Sequence, residues 1–226
     1  MTGTQQAMTY RKLRAPQHSG QSLLDPPTER LNEAIPSNRS GWDQCGNLIA
    51  GVPLNRVARS AREHLLDVAF DYTSAYRSNG LPRQSLDADT LLILSGHQPH
   101  LFHPGVWFKN FVLHTLAEAR QAIGIHLIID NDLAAADTIR APGGTADQAR
   151  FTTIALDQRP TNPGATYHTV PFEERTISDV EFFRAFPDRL HEQTNDLVDK
   201  PCVDPLWKHI PAALERTQNL GQVLSQ

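Results

Sequence analysis

Apolar residues recurring at three- and four-residue steps mark the first element of the chain. Val57, Ala61, Leu65, Val68 and Tyr72 keep this spacing and predict a helix over residues 55–78, with Asn79-Gly80 as its stop. The pattern then shortens. Thr90 to Leu94 is a brief apolar run with turn residues on each side, which predicts a buried strand. Ser95-Gly96-His97-Gln98-Pro99-His100 follows as a loop, and His103-Pro104-Gly105 opens a helix, with Pro104 suited to the first helical position. Phe108, Phe111, Val112, Thr115, Leu116 and Ala119 would form its buried face, and Gly124 its C-cap. Ile125 to Asp130 is a second apolar strand. Strand, helix and strand in such close succession predict a right-handed βαβ unit over residues 90–130 with parallel strands.

Beyond it, Ala141-Pro-Gly-Gly-Thr145 reads as a turn, Phe151 to Leu156 as a third strand, and residues 157–167 as loop. Ser178 to Val198 reads as a helix, with Ser178 as N-cap, Glu181 completing a capping box and Pro187 kinking or splitting it. Asp204-Pro205 opens a last helix that Pro211 interrupts. From Ala212 to Leu224 the helical spacing continues without a stop signal, so this stretch either docks on the core or belongs to something longer. Residues 1–40 are rich in Gln, Ser, Pro, Thr and Arg, and predict a flexible tail leading into a loosely packed segment. Residues 41–226 are then expected to form a single α/β domain.

Composition narrows the function classes. The 226 residues carry 21 basic and 25 acidic side chains, a net charge of −4, so no global basic field recruits nucleic acid. Apolar runs such as Ile125 to Ile129 are too short to span a bilayer. Arg11, Lys12 and Arg14 have no apolar segment behind them, so the start of the chain does not read as a secretory signal. Two cysteines, Cys45 and Cys202, cannot make a disulfide framework, which leaves the cytoplasm as the expected compartment.

The chemistry concentrates in one region. His97, His100, His103 and His114 account for four of the ten histidines, and Asp130-Asn131-Asp132 ends the second strand, with Asp137 shortly after. Ligands of parallel sheets bind outside the carboxyl ends of the strands. The histidine loop and the acidic run are both expected at that edge, facing each other. The start of the helix at Pro104 offers unpaired N–H groups to an anion, Gly105 permits close approach, and Lys109 adds a cation one turn in. Asp130 and Asp132 would hold magnesium, a ribose or an amine. Together these parts describe a site for a nucleotide or a phosphorylated small molecule, with ATP or another nucleotide and Mg as the cofactors it would suit. The same residues admit a second reading, with His97, His100, His103 and Asp130 as metal ligands of a hydrolase, although the spacing matches no closed zinc pattern. A third reading is a packed, non-catalytic binding or scaffold domain. His114 and His126 are expected to pack in the interior, and neither cysteine has a histidine partner for nucleophilic catalysis. There is no Gly-x-Ser-x-Gly elbow and no Walker loop.

The run from Leu94 to Lys109 resembles the first motif of the BshC family, enzymes assigned to cysteine addition in bacillithiol biosynthesis. Gly96, Gln98, Leu101, Phe102 and Lys109 match that motif in type and spacing. Asp130-Asn131-Asp132 falls where the family has an acidic second motif, with Asn131 in place of a histidine. The resemblance covers residues 90–137. It implies a Rossmann-like parallel core similar to the nucleotidylyltransferases and a ligase-like activity. In that scheme His97, His100, His103 and Lys109 would be catalytic, and Gly96, Gln98, Gly105, Asp130 and Asp132 would line the ligand site. His103-Pro104-Gly105 matches three positions of the nucleotidylyltransferase His-x-Gly-His signature, with Val106 where its second histidine belongs. The His-Gln-Pro run is also similar to WbqC-like proteins.

Overall fold

The computed structural model describes residues 10, 12–77, 90–101, 104–134, 138–158, 170–194 and 197–226. The Asn79-Gly80 stop, Phe102, His103 and Asp137 lie outside the described residues. The chain divides into two compact units, Met1–Leu66 and Asp67–Gln226. No helix among the described residues is long and apolar enough to cross a membrane.

In the first unit, helix α1 (Thr28–Asp43) runs through part of the segment expected to be loose. None of its residues whose side chains are described is buried; Leu31, Ala34 and Ile35 are half-covered. Strands β1 (Leu48–Ile49) and β2 (Val52–Pro53) form a two-residue hairpin, with Ala50 and Gly51 both at positive φ, as a primed turn demands. Helix α2 (Leu54–Ser74) begins here, one residue before the predicted start, and continues into the second unit.

The second unit contains the predicted βαβ segment. Strand β3 (Leu92–His97), helix α3 (Pro104–Ala119) and strand β4 (Ile123–Ile128) follow one another, and β3 pairs with β4 in parallel. The register runs from Leu92 opposite Ile123 to His97 opposite Ile128. Two boundaries differ from the reading of the sequence. Gly96 and His97 are the last ladder residues of β3 rather than loop, because Leu127 and Ile128 lie opposite to pair with them. Gly124 does not cap α3. The helix ends in a Schellman turn with Gln121 at φ 50°, where Ala122 N donates to Ala117 O at 2.8 Å and Gln121 N to Glu118 O at 3.2 Å. Gly124 sits inside β4 instead, where a Cβ would come within 3.2 Å of the Ala117 side chain. Leu113 and Ala117, four residues apart on α3, press on the sheet at that point.

The expected third strand exists as β6 (Ala149–Ala155), but among the described residues it joins no parallel sheet. It pairs antiparallel with β5 (Thr138–Gly144), so Ala141-Pro-Gly-Gly lies in a strand and not in a turn. Pro142, opposite Phe151, is tolerated because both strands of a two-stranded sheet are edges, where a missing N–H costs nothing. The reversal falls just after it, where Gly144 has φ 87° and Gln148 N donates to Thr145 Oγ1 at 3.2 Å.

The main hydrophobic core gathers around this hairpin and the helices that follow, not around the βαβ unit. Helices α4 (Val180–Arg184) and α5 (Phe186–Thr194) replace the single helix predicted over 178–198, and the break falls at Ala185, just ahead of Pro187. Asp179, rather than Ser178, caps α4 by accepting from Phe182 N at 2.9 Å. Glu181 pairs with Arg184 at 2.9 Å instead of closing a capping box. The last three helices are α6 (Val203–Trp207), α7 (Ile210–Leu214) and α8 (Leu220–Ser225). Phe183 and Phe186 are fully buried at the centre, in contact with Trp207, and α8 docks on this core through Leu220 and Val223. Buried Asp157 accepts from Arg175 Nη2 at 3.0 Å, Ser178 N at 2.8 Å and Asp179 N at 3.1 Å, which ties the end of β6 to the start of α4.

Candidate functional site

Parallel pairing places the ends of β3 and β4 side by side, and the two chain segments that leave them touch. Ile129 N donates to His97 O at 3.1 Å, which extends the ladder by one bond. Next along the edge, Gln98 Nε2 donates to Asp132 Oδ2 at 2.6 Å. The histidine segment and the acidic run therefore share one rim, 34 residues apart in sequence. Asp132 Oδ1 also accepts from Leu133 N at 2.8 Å. The Gln98 amide first, and then the Leu133 N–H, hold the Asp132 carboxyl below the usual carboxylate range.

Gly96 sits where a side chain has no room, since a Cβ would stand 2.9 Å from Leu127 O. Its own carbonyl accepts from Lys109 Nζ at 3.0 Å, which draws the ammonium of α3 back to the rim. An ammonium has three donors, and Gly96 takes one of them. Lys109 precedes Leu113 and Ala117 by one and two helical turns, so it continues the stripe that faces the sheet. Gly105, the second residue of α3, is exposed at the helix mouth.

The histidine segment is folded on itself. His100 N donates to Gln98 O at 3.0 Å, and the His97 and His100 rings meet edge to face with centroids 5.3 Å apart. His100 also stacks on Phe172, with ring centroids 6.1 Å apart. Phe172 is buried, and the backbone around it braces the acidic run. Phe172 N donates to Asp132 O at 3.1 Å and Glu173 N to Asp130 O at 2.9 Å. Asp130 is half-buried, whereas Asp132 is exposed.

Two histidines expected in the interior lie elsewhere. The His114 side chain is 78% exposed, 3.7 Å from Glu118 on the outer face of α3. His126, opposite Ser95, is also solvent-accessible. It shares the helix-facing side of the sheet with Gly124, because alternate strand residues point the same way. Partial burial first, then the Lys109 ammonium and then His97, hold His126 below the ordinary histidine range. The alternation from Gly124 to His126 could have placed this histidine beside the site. For Phe172 the sequence carries no comparable signal, because its role depends on a contact 72 residues from His100.

The rim holds a cation from α3, imidazoles from the segment after β3 and carboxylates from the segment after β4. Among the described residues, no three His, Cys, Asp or Glu side chains come together as a metal-binding group. Of the ligand set of the hydrolase reading, His97, His100 and Asp130 are among those residues, and the remaining member, His103, lies outside the described residues. Compared with protein-family models, curated proteins and solved structures, the chain finds no match.

Proposed function

We propose that this chain is a ligase- or nucleotidyltransferase-like enzyme acting on a nucleotide or a phosphorylated small molecule, with a Rossmann-like, BshC-like core. The observation that carries the reading is the 2.6 Å bond from Gln98 to Asp132, which joins the two polar segments where parallel sheets bind ligands. In this scheme Lys109 and the N–H groups at the start of α3 offset negative charge on the substrate. His97 and His100 move a proton or contact a phosphoryl oxygen. Asp130 and Asp132 orient an amine or a ribose. They also suit Mg²⁺, which binds through one or two carboxylates, water and substrate phosphates, so no three-residue cage is needed. With only two cysteines, Cys45 and Cys202, the chain suits a reducing compartment such as the cytoplasm.

Thermal unfolding with Mg²⁺ and a panel of nucleotides tests this. A nucleotide at 100 times its Kd should add about 2.7 kcal/mol to the stability, a rise of several degrees in Tm. A flat response to ATP, CTP, GTP and UTP, each with Mg²⁺, would overturn the reading.

A further inference from the structure

The rim is braced by the last helix of the chain, and the bracing has a specific form. Asn219 occupies the N-cap of α8, where its Oδ1 accepts from Gln222 N at 2.9 Å. Its Nδ2 points the other way and donates to two carbonyls, Phe172 O at 2.8 Å and Glu173 O at 2.9 Å. These are the residues whose N–H groups bond Asp132 O and Asp130 O. One amide side chain therefore caps a helix with its oxygen and clamps the support of the acidic run with its nitrogen. Two positions on, Gly221 has no room for a side chain: a Cβ would lie 3.0 Å from Pro99 Cγ and 3.3 Å from Phe172 Cβ. Pro99 is buried between Gln98 and His100, and Phe172 is the ring on which His100 stacks.

We propose that Asn219 and Gly221 are positioning residues of the candidate site, setting the histidine segment and the acidic run in register with each other. They act through Phe172, Glu173 and Pro99, and both halves of the rim rest on the same short stretch of α8. The inference deepens the functional reading above, but its first readout needs no ligand, so the two can fail separately.

Asn219→Asp is the informative variant. Aspartate caps a helix as well as asparagine does, so α8 keeps its N-cap. It has no N–H to give, so the clamp on Phe172 and Glu173 is lost. Nuclear magnetic resonance of the intact chain should show the His97 and His100 ring signals and the Asp130, Asp132 and Leu133 amides displaced. The α8 amides from Gly221 to Ser225 should keep their helical shifts. Gly221→Ala approaches the same point from the other side. It favours the helix by propensity, yet its methyl meets Pro99, so the His97 and His100 signals should move while α8 persists. It also decides the question if Asn219→Asp fails to fold. Where the parent binds MgATP, each variant should weaken binding at least threefold. The proposal is overturned if folded variants change only the signals of α8 and its immediate contacts and leave His97, His100 and the acidic run as in the parent. If the parent binds no nucleotide yet the ring signals move, the positioning role stands and the functional reading falls.

Discussion

Lys109 does two things at once: it binds the Gly96 carbonyl, and, after partial burial, its charge helps hold His126 below the ordinary histidine range. Removing the charge with Lys109→Met should raise the His126 pKa part of the way toward the ordinary value of about 6.5, which histidine ring signals followed against pH will record. A histidine held low in the folded state contributes stability above its unfolded pKa and loses it as pH falls through the folded one. The parent should therefore lose stability on acidification below about pH 6.5, and Lys109→Met should lose less of it. An unmoved His126 titration in the variant would show that the ammonium does not act there. Gly96 carries a steric requirement instead. Gly96→Ala drives a methyl toward the Leu127 carbonyl, and urea unfolding should show a loss of about 1–3 kcal/mol, the usual cost of overpacking. A neutral result would mean that β3 and β4 can separate without penalty.

At the scale of elements, the Asp157–Arg175 pair joins the hairpin to the helices, and both side chains are buried. Asp157→Ala leaves the guanidinium without its carboxylate and strands the Ser178 and Asp179 N–H groups. The expected loss is about 3–5 kcal/mol by urea unfolding; a loss below 1 kcal/mol would mean that solvent reaches the pair. Nothing in the sequence singles out this aspartate, because its partners lie 18 to 22 residues away. The βαβ segment was legible because its apolar runs are short and its helix opens on proline. The end of its helix was not, since Gln121 took the left-handed position expected of a glycine. Gly124 was needed for close packing against Ala117 instead. Pro-Gly-Gly at 142–144 carried turn chemistry into a strand, where an unpaired edge accepts it. The site was legible as far as its two polar segments. Its support from Phe172 and Asn219 was not, because tertiary contacts with distant elements create it.

On the scale of the whole molecule, the buried core and the candidate site lie in different parts of the second unit and are joined through α8, whose Leu220 and Val223 sit in the core while Asn219 and Gly221 brace the rim. Phe183, Phe186 and Trp207 centre the core among the hairpin and the late helices. The parallel pair carries the rim at one end and leaves Leu94, Leu127 and Ile129 exposed on strands and strand ends. Phe186→Ala should therefore cost about 3–5 kcal/mol of stability, the usual cost of emptying a buried phenylalanine site. At a temperature where the variant remains folded, its ligand affinity should stay near that of the parent. A large loss of affinity in the folded variant would tie the site to the core more closely than the contacts described here do. The central claim is that parallel pairing of β3 with β4 gathers two distant polar segments into one ligand site. Residue-by-residue resonance mapping during a titration with MgATP tests it most directly. The account predicts that shifts gather at both Gly96 to His100 and Asp130 to Asp132, with Lys109 and His126 between them. Shifts confined to one segment, or located elsewhere in the chain, would contradict it.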